Sequence, residues 1–250
     1  KTGLIITPTH AEAGPLTAHL RDALKARGAI MGEERIVPQR LATRWTDAQK
    51  RDGRNYEPGM VVEFHKAVAG ERTSVNGKRE TTGGFARGEA AVVVKGGADV
   101  VLMRTNGTRA TLPAEQAERF EVYRMGELGV AKGDQIRITK NGEAKVKGQA
   151  VGTRVNNGDI FPVEGYTPEG DFRLPGGKVL PRNYGHIAMG YVVTSQRSQG
   201  TTVDREFVDW DRESLAPLDM RAAYVTPSRF REGITIFVND KAWFDCHARN

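Results

Sequence analysis

Apolar positions in the first fifty residues fall in two successive patterns. Residues 3–7, Gly-Leu-Ile-Ile-Thr, are a short apolar run stopped by Pro8, which predicts a buried strand. Leu16, Leu20 and Leu24 then recur at four-residue spacing and Gly28 supplies a stop, so 15–28 is expected to be a helix. Thr46 with Gln49 reads as a capping box and predicts a second short helix. After Gly59 the texture turns to β. Runs at 60–65, 90–95 and 99–105 predict strands, bounded by glycine clusters and the Asn76-Gly77 turn. A short helical insert at 112–120 separates them from a second β-rich stretch, with runs at 134–140, 159–166 and 171–181. The two stretches echo each other (PGMVVEFHK, KGDQIRITK), which suggests two small barrels in tandem. From about Tyr184 the α/β texture returns, with strands expected at 190–194, 205–210 and 233–239, a helix at 219–232 and a short helix at the tail. The expected architecture is one α/β layer, built from 1–56 and 178–250, interrupted by a β-rich insertion at 57–177 that divides into units at 57–125 and 132–177.

Composition narrows the function classes. With 250 residues, 38% hydrophobic and 27% charged, the chain is expected to be globular and soluble, and no run approaches the roughly 18 apolar residues of a membrane span. The start at Lys1, without Met or a signal peptide and close to a buried strand, suggests a piece of a longer protein. The single Cys246 rules out a disulfide framework and fits a cytoplasmic location. Thirty-seven Lys and Arg against 31 Asp and Glu give a net charge of +6, which favours polyanions, nucleic acid first.

Two segments carry candidate chemistry. Residues 190–204, GYVVTSQRSQGTTVD, run from a strand into a loop of Thr, Ser, Gln and Gly, whose hydroxyls, amides and open backbone suit phosphate contact. About 25 residues later, 223–232 (AYVTPSRFRE) sets Arg229 near a helix end, where a guanidinium can reach charge developing on a phosphoryl group; an ion pair with Glu232 is the alternative.

In this order and spacing the segments resemble motifs V and VI of superfamily 1 helicases. The wording is most similar to the RecD-like helicase part of MobF-type conjugative relaxases, and the resemblance extends to the opening LIITPTHAEA, to RITKNG and to NNGDI, so that it covers nearly the whole chain. It implies a RecA-like, P-loop NTPase-type second motor domain with a 2B-type insertion of one or two SH3-like barrels. It also implies an arginine finger at Arg229 acting on ATP, and a motif V loop in which Gln199 and Gly200 meet the nucleotide. Thr194, Ser198, Thr7, His10, Arg137, Thr139 and Asn141 are placed by it against single-stranded DNA. ATP and Mg²⁺ would be held mainly by a first motor domain. The implied partners are that domain, a relaxase domain, single-stranded DNA and a type IV secretion coupling protein, in a bacterial cytoplasm with possible delivery to a recipient cell. The family usually has His where this chain has Gln196, and Pro227 and Phe230 replace small residues beside the motif VI arginine. No G-x-x-x-x-G-K-[ST] occurs, and Gly176-Gly177-Lys178 lacks the first Gly and the hydroxyl residue, so the chain alone is not expected to hydrolyse ATP.

Other chemistry fares worse. His10, His19, His65, His186 and His247 show no metal-ligand spacing, and no Ser stands in a G-x-S-x-G elbow. Trp45, Tyr56, Phe64 and Tyr123 are either core or base-stacking aromatics. His65, Lys66, Arg72, Lys78, Arg79 and Arg87 make the first β unit basic, as a solvated surface or as DNA contacts.

Overall fold

The computed structural model describes residues 3–7, 10–75, 78–82, 84–146, 152–194, 203–210 and 230–242, with side chains at all of these except 10–11, 71–75, 78–82, 194 and 210. Strand β1 (Gly3–Thr7) leads into helix α1 (His10–Ala26) and strand β2 (Met31–Ala42). Helix α2 (Asp47–Arg51) precedes β3 (Val61–Phe64), β4 (Glu71–Val75), β5 (Lys78–Thr82), β6 (Ala90–Lys95), β7 (Val101–Arg104) and β8 (Arg109–Thr111). The long β9 (Phe120–Lys132) is followed by β10 (Gln135–Ile138), β11 (Gly142–Val146), β12 (Thr153–Val155), β13 (Ile160–Pro162), β14 (Gly165–Tyr166), β15 (Phe172–Leu174) and β16 (Lys178–Leu180). β17 (Ile187–Met189), β18 (Val192–Thr194), β19 (Val203–Trp210) and β20 (Phe230–Val238) complete the described elements. The chain divides into two compact units, Ile36–Leu128 and the remainder, Lys1–Arg35 with Gly129–Asn250.

The unit that holds the two chain ends contains a four-stranded sheet in the order β18-β1-β19-β20, parallel throughout. β1 and β18 are short apolar runs whose side chains are largely buried, whereas β20, at the edge of the sheet, is exposed or half-buried along its length. Leu4, Ile6, Val193 and Val203 pack together, and Leu16, Leu20 and Leu24 of α1 pack against Ile5 and Val192. The four-residue leucine spacing thus marks the helix face that lies on the sheet. The helix ends as its sequence predicts. Gly28 takes φ +71°, its N–H donates to Lys25 O, and the Ala29 N–H donates to Leu24 O, a Schellman closure. It begins earlier than expected, at His10, with Pro15 inside it. The fixed φ of proline fits a helix, and the cost is one lost backbone donor.

The same unit carries two antiparallel sheets, β13-β10-β17 and β12-β11-β16-β15-β14. Gly133 opens β10 at φ +95°, and a Cβ there would drive into the carbonyl oxygen of Ala29 in the loop after α1. Gly176 and Gly177 form a turn into the antiparallel strand β16, which is not the strand-to-helix setting of a phosphate loop.

The other unit is a six-stranded sheet, β2-β9-β3-β6-β7-β8, with the β4–β5 hairpin beside it. Its core is built on Phe64, which stacks on Phe85 at 4.0 Å and meets Phe120 edge-on at 5.6 Å. The capping box forms as predicted: Gln49 N–H donates to Thr46 Oγ1 while the Gln49 side chain accepts from Thr46 N–H. Tyr56, Phe64 and Tyr123 are buried and Trp45 packs edge-on against Tyr56, so these aromatics form core and are not free to stack on bases. The predicted boundary at 57 differs from the observed one at Ile36, because Trp45 and Tyr56 join the core of this unit. Residues 132–177 likewise fall in the unit with β1 and α1.

Other differences are local. Residues 114–119 form a 3-10 turn, and 230–232, expected as helix, open β20. The long strands β2 and β9 have no predicted counterpart: Pro38 interrupts the first and Gly126 and Gly129 the second. Proline is tolerated in β2 because that strand is the edge of its sheet.

Replacing Gly133 by Ala is expected to lower stability by about 2 kcal/mol or more, from the left-handed backbone and the collision with Ala29. The urea midpoint measures it, with Gly158→Ala, at a positive-φ position in open space, showing the smaller cost of backbone strain alone.

Candidate functional site

In an open parallel sheet, ligands bind beyond the carboxyl ends of the strands, where successive connections leave in opposite directions. That point lies between β1 and β19 here, since β18 follows on one side of β1 while β19 and β20 continue on the other. Thr7 ends β1, Thr194 ends β18, and the two are register partners. Thr7 is fully buried. Helix α1 starts at His10, so its amino end, with N–H groups that have no partner within the helix and a positive dipole, lies at the same edge.

The strand that carries Thr194 is anchored from behind. β17 pairs antiparallel with β10, and after Gly190 and Tyr191 the chain continues as β18, parallel to β1. Gly190 N–H donates to Gln135 O at 2.8 Å. One almost continuous run therefore belongs first to the antiparallel sheet and then to the parallel one. Arg137 lies on β10 opposite Ala188 and Ile160, half-buried. The Thr139 N–H donates to His186 O at 2.9 Å. Asn141 is exposed, and its Oδ1 accepts from the Asn157 N–H at 2.7 Å, tying two turns together. The Tyr184 hydroxyl donates to Lys140 O, and its ring meets the buried His186 edge-on. Arg137 thus lies in the sheet of β17, the strand that leads on to β18 and Thr194, and Thr139 and His186 extend that ladder by one bond.

The anchor is polar at its centre. Asp134, fully buried, precedes β10, and Tyr191 precedes β18. Arg21 of α1 grips the Asp134 carboxylate through Nε at 2.8 Å and Nη2 at 2.7 Å. The Ala131 N–H and the Tyr191 hydroxyl donate to the same carboxylate, each at 2.8 Å. Tyr191 in turn accepts from the Gln135 N–H, and Arg21 also reaches Glu34 and the Gly129 carbonyl. Burial by itself would raise the Asp134 pKa; the Arg21, Ala131 and Tyr191 donors outweigh it and hold the carboxyl below the usual carboxylate range. Burial, then the bond to Asp134, pushes the Tyr191 phenol well up, so it stays protonated and donating.

The predicted site residues thus fall into two groups. Thr7, Arg137, Thr139 and Asn141 are described, and the backbones of His10 and Thr194 are. Gln196, Ser198, Gln199, Gly200, Pro227 and Arg229 lie outside the described residues. Phe230, next after Arg229, opens β20 at the amino edge of the sheet, opposite the edge that Thr7 and Thr194 close. Sequence reasoning missed Asp134, Tyr191 and the fully buried Glu206 of β19. Gly133-Asp134 is a legible turn signal, but its partner Arg21 is 113 positions away, and no local pattern announces that. Among the described residues no cluster of His, Cys, Asp and Glu could hold a metal ion, and no helix is long and apolar enough to cross a membrane.

No protein-family model matches the chain, and no curated protein matches it. Among solved structures, it is similar to the Pif1 helicase from Bacteroides in complex with ADP-AlF3 and ssDNA (13% identity, TM-score 0.25, 99% of this chain and 44% of that one). The Pif1 helicase from Candida albicans gives 11% identity and a TM-score of 0.27, over 100% of this chain and 49% of that one. The chain spans less than half the length of these helicases. Superpositions this loose decide neither fold nor function; the α/β assignment stands on the strand register itself.

Asp134→Asn is expected to cost about 3 kcal/mol at pH 7, because it leaves Arg21 facing a neutral amide in a buried setting. The Asp134 pKa is depressed on folding, so its contribution is complete above the ordinary carboxylate pKa of about 3.9 and fades as pH falls through the lower folded value. Urea midpoints at pH 7 and pH 3 should therefore differ more for the wild type than for Asp134→Asn.

Proposed function

We propose that this chain is the second motor half of an ATP-dependent single-stranded-DNA translocase of the superfamily 1 type, belonging to a conjugative relaxase. The β1–β18 pairing carries this reading. The opening segment and the motif V segment, both of which resemble that family, are far apart in the chain yet lie side by side, with Thr7 beside Thr194. The net charge of +6 supports a polyanionic partner.

In this reading ATP and Mg²⁺ sit mainly on a first motor domain and supply the phosphoryl group whose transfer drives movement. This chain's part is electrostatic. The Arg229 guanidinium faces the charge that develops on the γ-phosphate, an effect worth roughly 10³–10⁵ in rate for arginine fingers. Gln199 and Gly200 meet the nucleotide, while Thr7, His10, Thr194, Ser198, Arg137, Thr139 and Asn141 serve the DNA.

A second reading rests on Gln196 and Pro227, where the sequence departs from the family. There the chain is a vestigial helicase copy that grips single-stranded DNA and displays a signal to a type IV secretion coupling protein. An intact Walker A lysine encoded upstream of Lys1 decides for the motor, and a degenerate one for the vestige. In the full-length protein Arg229→Ala should abolish DNA-stimulated ATPase activity and leave single-stranded DNA affinity almost unchanged; retained ATPase activity overturns the motor reading.

A further inference from the structure

We propose that Arg35 and Arg182 form a phosphate-binding cleft around Gly170, which takes a backbone phosphodiester of single-stranded nucleic acid. The proposal rests on the reading of the chain as a single-stranded-DNA binder and adds a site to it. Both guanidiniums converge on one point. A Cβ built on Gly170 would lie 3.5 Å from Arg35 Nη1 and 3.6 Å from Arg182 Nη1. Two like charges held this close repel, and such pairs usually have carboxylates between them. Neither guanidinium has an ion pair or hydrogen bond among the described residues, although both side chains are exposed and other arginines of the same unit are paired.

The backbone and packing fix this arrangement. Arg35 lies 4.4 Å over the ring of Tyr166, whose hydroxyl is anchored on the Val130 carbonyl. Burial pushes that phenol up to about 12, so the ring stays neutral beneath the cation. Gly170 sits in a closed turn: its N–H donates to Thr167 O, and the Thr167 N–H to Asp171 O. Arg182 is tied to that turn through its main-chain N–H, which donates to Asp171 Oδ1 at 3.0 Å. The bond that Asp171 accepts comes from the Arg182 backbone, so the Arg182 guanidinium keeps its donors.

Two forks of N–H donors around a bare Cα suit a group with several anionic oxygens and little bulk, which describes a phosphodiester. Gly170 takes φ +91°, so any other residue would be strained there and would also fill the space between the arginines. Single-stranded DNA is the occupant taken here because the chain is basic overall and the site is read as part of a DNA-binding chain.

The test is a titration of the purified chain against a labelled thymidine oligonucleotide of about 16 nucleotides across a salt series. Arg35→Ala with Arg182→Ala should weaken binding roughly tenfold at low salt and reduce the log–log salt slope by about 0.7 for each phosphate released. The thermal midpoint should shift by only about a few degrees, since neither side chain hydrogen-bonds within the fold and only the exposed contact of Arg35 with the Tyr166 ring is lost. Arg54→Ala with Arg124→Ala removes the same charge at arginines already paired with Asp52 and Glu57, and should leave affinity and slope close to wild type. Wild-type binding that the first pair leaves intact overturns the cleft and spares the DNA-binding reading. An equal loss from the control pair also overturns it, by showing net charge alone at work. A wild-type chain that ignores the oligonucleotide but binds phosphatidylserine vesicles or a phosphopeptide overturns both.

Discussion

A carboxylate taken out of water has to be compensated, and Asp134 meets that demand with donors from three parts of the chain. Arg21 comes from the first helix, Ala131 from the strand before the turn, and Tyr191 from the residue ahead of β18. An unpaired charge at this depth would cost several kcal/mol, so the pieces are held together by the need to satisfy it as much as by apolar contact. The apolar part also spans the chain: leucines of α1 pack with Ile5 against a buried cluster that includes Val192. The polar part specifies which turn meets which helix.

That constraint sets the position of the parallel sheet. With Tyr191 fixed beside Asp134, the chain enters β18 at one register, and Val192, Val193 and Thr194 fall opposite Ile5, Ile6 and Thr7. The antiparallel sheet behind it, through Gly190 and Gln135, prevents the strand from sliding. A one-residue slip would turn every side chain of the strand to the other face.

The elements that the sequence announced share a property: their signals are complete within a dozen residues. Leu16, Leu20, Leu24 and the Gly28 stop, the Thr46–Gln49 box, and the apolar runs of β1, β3, β6 and β18 are of this kind. β2 and β9 were illegible for the complementary reason. Pro38 sits in the middle of one, two glycines break the other, and each is stabilised by its neighbour across the ladder rather than by its own period. The aromatics Tyr56, Phe64 and Tyr123 were ambiguous in the sequence because core packing and base stacking ask for the same residue types. Burial decided for the core.

Sequence alone determined the helix stops and caps, the short apolar strands, the basic balance and the two segments that resemble helicase motifs V and VI. All of these depend on neighbours in the chain or on simple counts. Only the tertiary structure decided that β1 lies between β18 and β19, that Thr7 and Thr194 share a rung, that Asp134 is gripped by Arg21, and that Arg35 and Arg182 meet over Gly170. Those are pairings between residues far apart in the chain. The strand pairings and the Asp134 contacts gain burial or hydrogen bonds that exist only once the rest of the unit has formed, and the two arginines are brought together by the same folded frame, so no local pattern can record any of them.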